Sequence, residues 1–310
     1  MLGAGGIGGY FGTKLHLAGG DVTFLVRPAR ADKLANQGLN VISSLGNMHI
    51  APKLVTSADA PESKGKFDVV MLSCKAYDLE SAVDSVAPAL APEGIVVPLL
   101  NGLAHLEYLD RRFGRERVPG GFAHIGVTLT PEGDIHHLNE LHRLVIGTRT
   151  QPASAHLAPL AALLARSGIE FSLSENIEGE MWDKFVFLTT LAAATCTMRA
   201  ATGDILQSHA GEAFMLGLLD ECDAVARSHG HGLNEARLAF YQGLLRQAGS
   251  NNTASMLRDM EKKGATEAEH ILGDMVRRAS AKGVVTPLLN IAYSHLQAYE
   301  IRKHREKGAG

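Results

Sequence analysis

Six residues near the start of the chain, Gly3-Ala4-Gly5-Gly6-Ile7-Gly8, satisfy the spacing G-x-G-x-x-G. Glycines so placed permit a tight turn, let the backbone approach a pyrophosphate and let a helix pack closely on a strand, while the helix N-terminus presents N–H donors to phosphate. Gly3, Gly5, Gly6, Ile7 and Gly8 are therefore candidate dinucleotide contacts if a strand–helix–strand unit frames them; a merely glycine-rich turn is the alternative. About 20 residues past such glycines an acid would hold a ribose 2′-hydroxyl. The sequence has Leu25-Val26-Arg27-Pro28-Ala29-Arg30 instead. Arg27, with Arg30 as a second candidate, stands where a guanidinium grips a 2′-phosphate, which favours NADP over NAD; solvated loop arginines are the plainer alternative.

Lys184 is the second chemical signal. At about 100° per residue it shares one helical stripe with Ile177, Met181, Leu188, Leu191 and Thr195. Desolvation disfavours the charged amine and lowers its pKa, which makes a lysine a usable proton donor near neutral pH. The alternatives are a lysine that snorkels past Trp182 or Phe185 to water, or a structural ion pair. Lys75 and Asn101 each follow a β-rich run, 67–74 and 95–100, and ligands of open α/β sheets bind outside such strand ends. Thr266 and Glu269 match a capping box. That leaves Glu267 either as an acid favoured by a helix dipole or as a partner for Lys184 or a substrate hydroxyl. His229 and His231 lack acidic or cysteine partners at ligand spacing, so no metal is expected. No G-x-S-x-G elbow supports a hydrolase.

Positioning these residues takes two architectures. Up to about Ser172, strand-like runs at 21–27, 67–74, 95–100 and 118–127 alternate with helical patterns, the signature of βαβ units. Residues 41–44 with 48–51, and 134–137 with 143–146, read as hairpins. After Ser174 helices take over, at 175–199, 207–229, 234–247, 254–263, 266–282 and 287–302. The expected fold is α/β: a Rossmann-type, doubly wound, mainly parallel sheet over 1–173, then an all-α domain over 174–310. Only Met1 and Leu2 precede Gly3, so either the chain starts late or its central strand is unusually short. With 310 residues, 45% hydrophobic and 20% charged, the chain has the composition of a globular protein that buries a sizeable core. A net charge of −3 offers no basic face for nucleic acid, the cluster at 302–307 being read as a solvated tail. Three scattered cysteines, no secretory signal and no membrane-length apolar run point to a cytoplasmic protein. An apolar helical domain is compatible with a homodimer.

The ordered pieces Gly3 to Gly9, Arg27, Ser73-Cys74-Lys75-Ala76, Asn101-Gly102, Glu180 to Lys184, Ser255-Met256-Leu257 and Thr266-Glu267 together resemble the ketopantoate reductase (2-dehydropantoate 2-reductase) family over nearly the whole chain. The resemblance implies a helical domain like the C-terminal domain of 6-phosphogluconate dehydrogenase. It also implies NADPH-dependent reduction of ketopantoate to pantoate, on the route to pantothenate and coenzyme A. Lys184 would be the proton donor, Asn101 and Glu267 would act near the reacting centre and cofactor, and Ser255 would contact the substrate beside Leu188 and Ala192. Leu188, Ala192 and Thr202 replace asparagines usual in the family, and Leu272 stands where Asn commonly follows the acidic pair. Reductase chemistry thus survives better than ketopantoate specificity. A paralogous reductase of a more apolar 2-oxo acid, and an NADPH sensor without turnover, are the competing expectations.

Overall fold

The computed structural model describes residues 1–57, 59 and 66–308. Two compact units divide the chain: residues 1–100 with 105–178, and residues 101–104 with 179–310.

The first unit holds α1 (Gly6–Leu17), β1 (Thr23–Leu25), α2 (Pro28–Gln37), β2 (Leu39–Ile42), β3 (Met48–Ile50), β4 (Lys53–Val55), β5 (Phe67–Leu72), α3 (Leu79–Val86) and β6 (Leu90–Pro98). After α4 (Ala104–Phe113) come β7 (Gly120–Leu129), β8 (Ile135–Gly147), α5 (Leu157–Ala165) and β9 (Glu170–Leu173). Leu2 bridges Leu25 on one side and Leu72 on the other, parallel to both. It thereby joins the pairs β1–β4 and β5–β6 into one parallel sheet of order β4-β1-Leu2-β5-β6. Counted along the chain this is 3-2-1-4-5, the order of a dinucleotide-binding sheet. Leu2 thus occupies the place of the central strand.

Ile95, Val96 and Val97 of β6 are all fully buried, as a continuous apolar run demands when both faces of a sheet are covered. Tyr10 and Phe11 of α1, Phe24, Leu144 and Ile146 close the same core, each such side chain contributing about 1.5–3 kcal/mol by leaving water. A second, mixed sheet runs β3-β2-β8-β7, with β9 on β8. The β2–β3 hairpin forms as expected, with Leu39 opposite Ile50. The expected hairpin of 134–137 with 143–146 does not form. Those residues lie on one strand, β8, because β7 supplies a partner on both sides of a break: Val127 pairs with His137 and Ile125 with His142. Residues 138–141 bulge outward between them, which put a turn-like stretch into the sequence of a continuous strand.

The second unit consists of helices: α6 (Ile177–Met198, shared with the end of the first unit), α7 (Thr202–Leu206), α8 (Gly211–Ser228), α9 (Glu235–Leu245), α10 (Ser255–Glu261), α11 (Asp274–Ala281) and α12 (Pro287–Gly308). Asn234 caps α9 by accepting the Arg237 N–H at 2.8 Å. The helix expected to start at Thr266 opens instead as a π-helical turn over Glu269–Gly273 before α11. Among the described residues no helix is long and apolar enough to cross a membrane.

Candidate active site

In the first unit, the glycine turn is a backbone construction. Gly3 takes φ +91°, a left-handed conformation that side chains resist, and its N–H donates to Leu25 O at 2.9 Å. Ser73 Oγ, past the end of β5, donates to Leu2 O at 2.8 Å. A Cβ on Gly8 would lie 2.1 Å from that hydroxyl and 2.2 Å from Gly3 O, so close packing forbids any larger residue. Gly5 is the opposite case. It begins α1 with no side-chain cap, and a Cβ there would meet nothing within 4 Å. The start of the helix is thus open at Gly5, whereas Gly6 packs against Val127 and Ile7 against the core; the leading N–H groups of the helix lack intrahelical acceptors.

Arg27 and Arg30 part company. Arg30 donates through Nη2 to Ala4 O and through Nη1 to Gly133 O, both at 3.0 Å. Its guanidinium is occupied in tying the glycine turn to the loop before β8, which corrects its assignment as a phosphate contact. Arg27, at the end of β1, has a side chain 78% exposed and pairs with Asp78 at 2.9 Å. Lys75 is half-buried and heads the short turn that carries Asp78, whose N–H donates to Lys75 O. The ends of β1 and β5 therefore meet through the Arg27–Asp78 pair.

In the second unit, Lys184 Nζ donates to Asn101 Oδ1 at 3.1 Å. Burial pushes the Lys184 amine down to about 8, while the charge of buried Glu267 pulls it back up. Lys184 is half-buried, and the structure brings together Asn101, Lys184 and Glu267 from three distant segments. Gly102, at φ +79°, lets the Asn101 segment pass so closely that a Cβ would sit 3.0 Å from His270 O in the π-turn. Ser255 opens α10 and is half-buried. Thr195, on the Lys184 stripe, donates to Leu191 O at 2.7 Å and accepts the Ala254 N–H at 3.3 Å, stitching the residue before Ser255 to α6. The sequence carries one signal of that role, a hydroxyl on a stripe that is apolar apart from Lys184.

The residues in place of the family's asparagines differ in access. Leu188 is half-buried, whereas Ala192 and Leu272 are fully buried. Ala192 therefore does not line open space, contrary to expectation. Thr202 is buried, with its N–H on Asn252 O. The Thr266–Glu269 capping box does not form. The Thr266 N–H donates to Glu300 Oε1 at 2.7 Å, and Glu269 is engaged by Arg277 and Tyr293. The rings of His229 and His231 stack on Trp182.

A family model described as ketopantoate reductase PanE/ApbA matches residues 1–151, and the model of its C-terminal part matches residues 176–300. The chain belongs to the ketopantoate reductase family. As a member it is an oxidoreductase. It is 34% identical over 303 residues to the uncharacterized oxidoreductase YkpB of Bacillus subtilis, covering 98% of this chain and 99% of that protein. A 2-dehydropantoate 2-reductase of Nostoc is 26% identical, with 96% and 93% covered. The crystal structure of 2-dehydropantoate 2-reductase from Methylococcus capsulatus superposes with a TM-score of 0.85 at 28% identity, covering 97% of this chain and 96% of that one. D-mandelate dehydrogenase in complex with NADH and anilino(oxo)acetate shares the fold, with a TM-score of 0.86 at 20% identity over 98% of this chain and all of that one.

Proposed function

We propose that this member of the family is an NADPH-dependent reductase of 2-oxo acids that converts ketopantoate to pantoate, in pantothenate and coenzyme A biosynthesis. The observation that carries the proposal is the half-buried, partly desolvated Lys184, hydrogen-bonded to Asn101, beside Glu267 and with a pKa of about 8. Desolvating an amine has a cost that a proton donor justifies, and a sensor has no use for a proton donor.

The residues present fit a dinucleotide: the backbone at the start of α1, open at Gly5 and followed by Gly6 and Ile7, suits a pyrophosphate, and exposed Arg27 suits a 2′-phosphate. Lys75 lies at the end of the adjacent strand. When bound, the reduced cofactor supplies the hydride that converts the carbonyl carbon of the substrate. Lys184 then protonates the developing alkoxide oxygen and recovers its proton from solvent. Asn101 orients the ammonium, Glu267 keeps it charged at neutral pH, and Ser255 contributes a hydroxyl toward the substrate. The three cysteines are all free thiols, in keeping with a cytoplasmic enzyme.

A second substrate class is favoured by one observation: half-buried Leu188 offers an alkyl wall where an amide would bond the ketopantoate hydroxyl. Such walls neither satisfy nor strongly reject a hydroxyl, and discriminate by about 100-fold. Branched alkyl 2-oxo acids are then accepted comparably. The test is kcat/KM for ketopantoate, 2-oxoisovalerate and related acids, followed by NADPH and NADH absorbance. Saturable NADPH binding without oxidation by any acid would sink the enzyme in favour of the sensor.

A further inference from the structure

The segment carrying Glu267 has no regular structure of its own. It leaves α10 through Lys263, a non-glycine residue at φ +55°, and enters the π-turn only at Glu269. Something else must fix the acid. Its backbone is gripped from one face of α12. Gly264 O accepts both the Tyr299 hydroxyl at 3.0 Å and Lys303 Nζ at 3.1 Å. Two residues on, the Thr266 N–H, immediately before Glu267, donates to Glu300 Oε1 at 2.7 Å. Lys303 Nζ closes the arrangement by donating to Glu300 Oε2 at 2.6 Å. Lys303 is 8% exposed, an unusual burial for an ammonium, and every hydrogen bond it makes here serves the same loop or the carboxylate that holds it.

We propose that Glu300, Lys303 and Tyr299 are positioning residues: a charged clamp on α12 that fixes the peptide planes on either side of residue 265 and so holds Glu267 beside Lys184. The clamp deepens the function proposed above and rests on its Lys184–Glu267 pairing. An apolar patch could anchor the loop equally firmly, but it would let the chain slide; hydrogen bonds to one carbonyl and one N–H specify a single register. The same helix also grips the far side, where Tyr293 donates to Glu269. Burial pushes the Glu300 carboxyl up, yet Lys303 and the Thr266 hydrogen bonds outweigh it and hold the group below the usual range. Glu300 thus stays an anion, as the clamp requires.

The test reads Lys184 directly, without substrate. Lysines carrying a carbon-13 label are titrated by NMR, with Lys184→Ala identifying the signal. The wild-type midpoint lies near 8. Glu267→Gln removes a charge that raises it, so the midpoint falls. Glu300→Ala releases the loop and moves the midpoint the same way, while Glu300→Gln, which keeps an acceptor for Thr266, restores most of it. In turnover, Glu300→Ala lowers kcat about 10-fold and leaves NADPH affinity unchanged, the pattern of a misplaced catalytic group. Should Glu300→Ala not fold, Tyr299→Phe deletes one hydroxyl and moves the midpoint by a smaller amount in the same direction. A midpoint and kcat unchanged in the α12 variants, while Glu267→Gln shifts both, would overturn the clamp alone. An unchanged midpoint in Glu267→Gln would overturn the Lys184–Glu267 pairing, and the clamp with it.

Discussion

The glycine turn of the first unit and the lysine cluster of the second are built on different plans. In the turn, backbone does nearly everything: Gly3, Gly5 and Gly8 lie within six residues, and their partners Leu25 and Ser73 come from the neighbouring strands. In the cluster, side chains do the work, and they arrive from residues 101, 184 and 267 on segments that other loops must hold in place. A site of the first kind tolerates change at its margins and fails at one or two atoms. A site of the second kind degrades in steps, as each support is removed.

The largest expected effect lies at the centre of the side-chain site. Lys184→Ala should lower kcat by about 10²–10⁴-fold with NADPH affinity kept, since a general acid acts on the transition state. In the wild type the rate should fall as pH rises through about 8, because the donor is lost above the pKa of Lys184. Stopped-flow NADPH oxidation between pH 6 and 10 measures both; a rate flat across that range removes Lys184 as the donor.

The backbone site is tested by a matched pair. Gly8→Ala forces a Cβ against Ser73 and Gly3 and should destabilise the protein by about 1–3 kcal/mol, abolishing dinucleotide binding with it. Gly5→Ala meets no neighbour, so its melting temperature should stay near wild type while NADPH affinity drops. Equal melting losses in the two variants would contradict the contrast. A smaller effect is expected from Arg27→Asp, which should weaken NADPH by about 10–100-fold and leave NADH within a few-fold, the worth of a charge-assisted hydrogen bond. Fluorescence titration of both cofactors decides it.

The least effect belongs to the wall near Lys184. Leu188→Asn should raise kcat/KM for ketopantoate relative to 2-oxoisovalerate by about 10-fold. Ala192→Asn is the informative partner: at a fully buried position its amide would want hydrogen bonds there, so loss of stability rather than gain of specificity is expected. If Ala192→Asn alone shifts specificity and melts normally, residue 192 reaches the substrate after all.

How far the sequence could be read follows the same division. The glycine turn, the β2–β3 hairpin and the switch to helices after Ser174 are local patterns, and each was legible. The β8 strand was not, because the bulge at 138–141 imitates a turn and its continuity depends on β7 pairing across the break. Arg30 was misjudged for the same reason: its Gly133 partner is 103 residues away. Thr266 and Glu269 have the spacing of a capping box, yet Glu300, 34 residues on, takes the N–H. For the cluster, periodicity singled out Lys184, and nothing local could place Asn101 against it or reveal what holds Glu267.

Trp182 has a consequence of a practical kind. It is the chain's one tryptophan, and it lies two residues before Lys184, with the imidazoles of His229 and His231 stacked on it and the Arg278 guanidinium over its ring. Its emission therefore comes wholly from the second unit, and the first unit contributes no tryptophan signal. Denaturation followed by tryptophan fluorescence dates the melting of the helical unit, while circular dichroism sees both units. The gap between the two midpoints is a direct measure of how independently the two halves of this enzyme unfold.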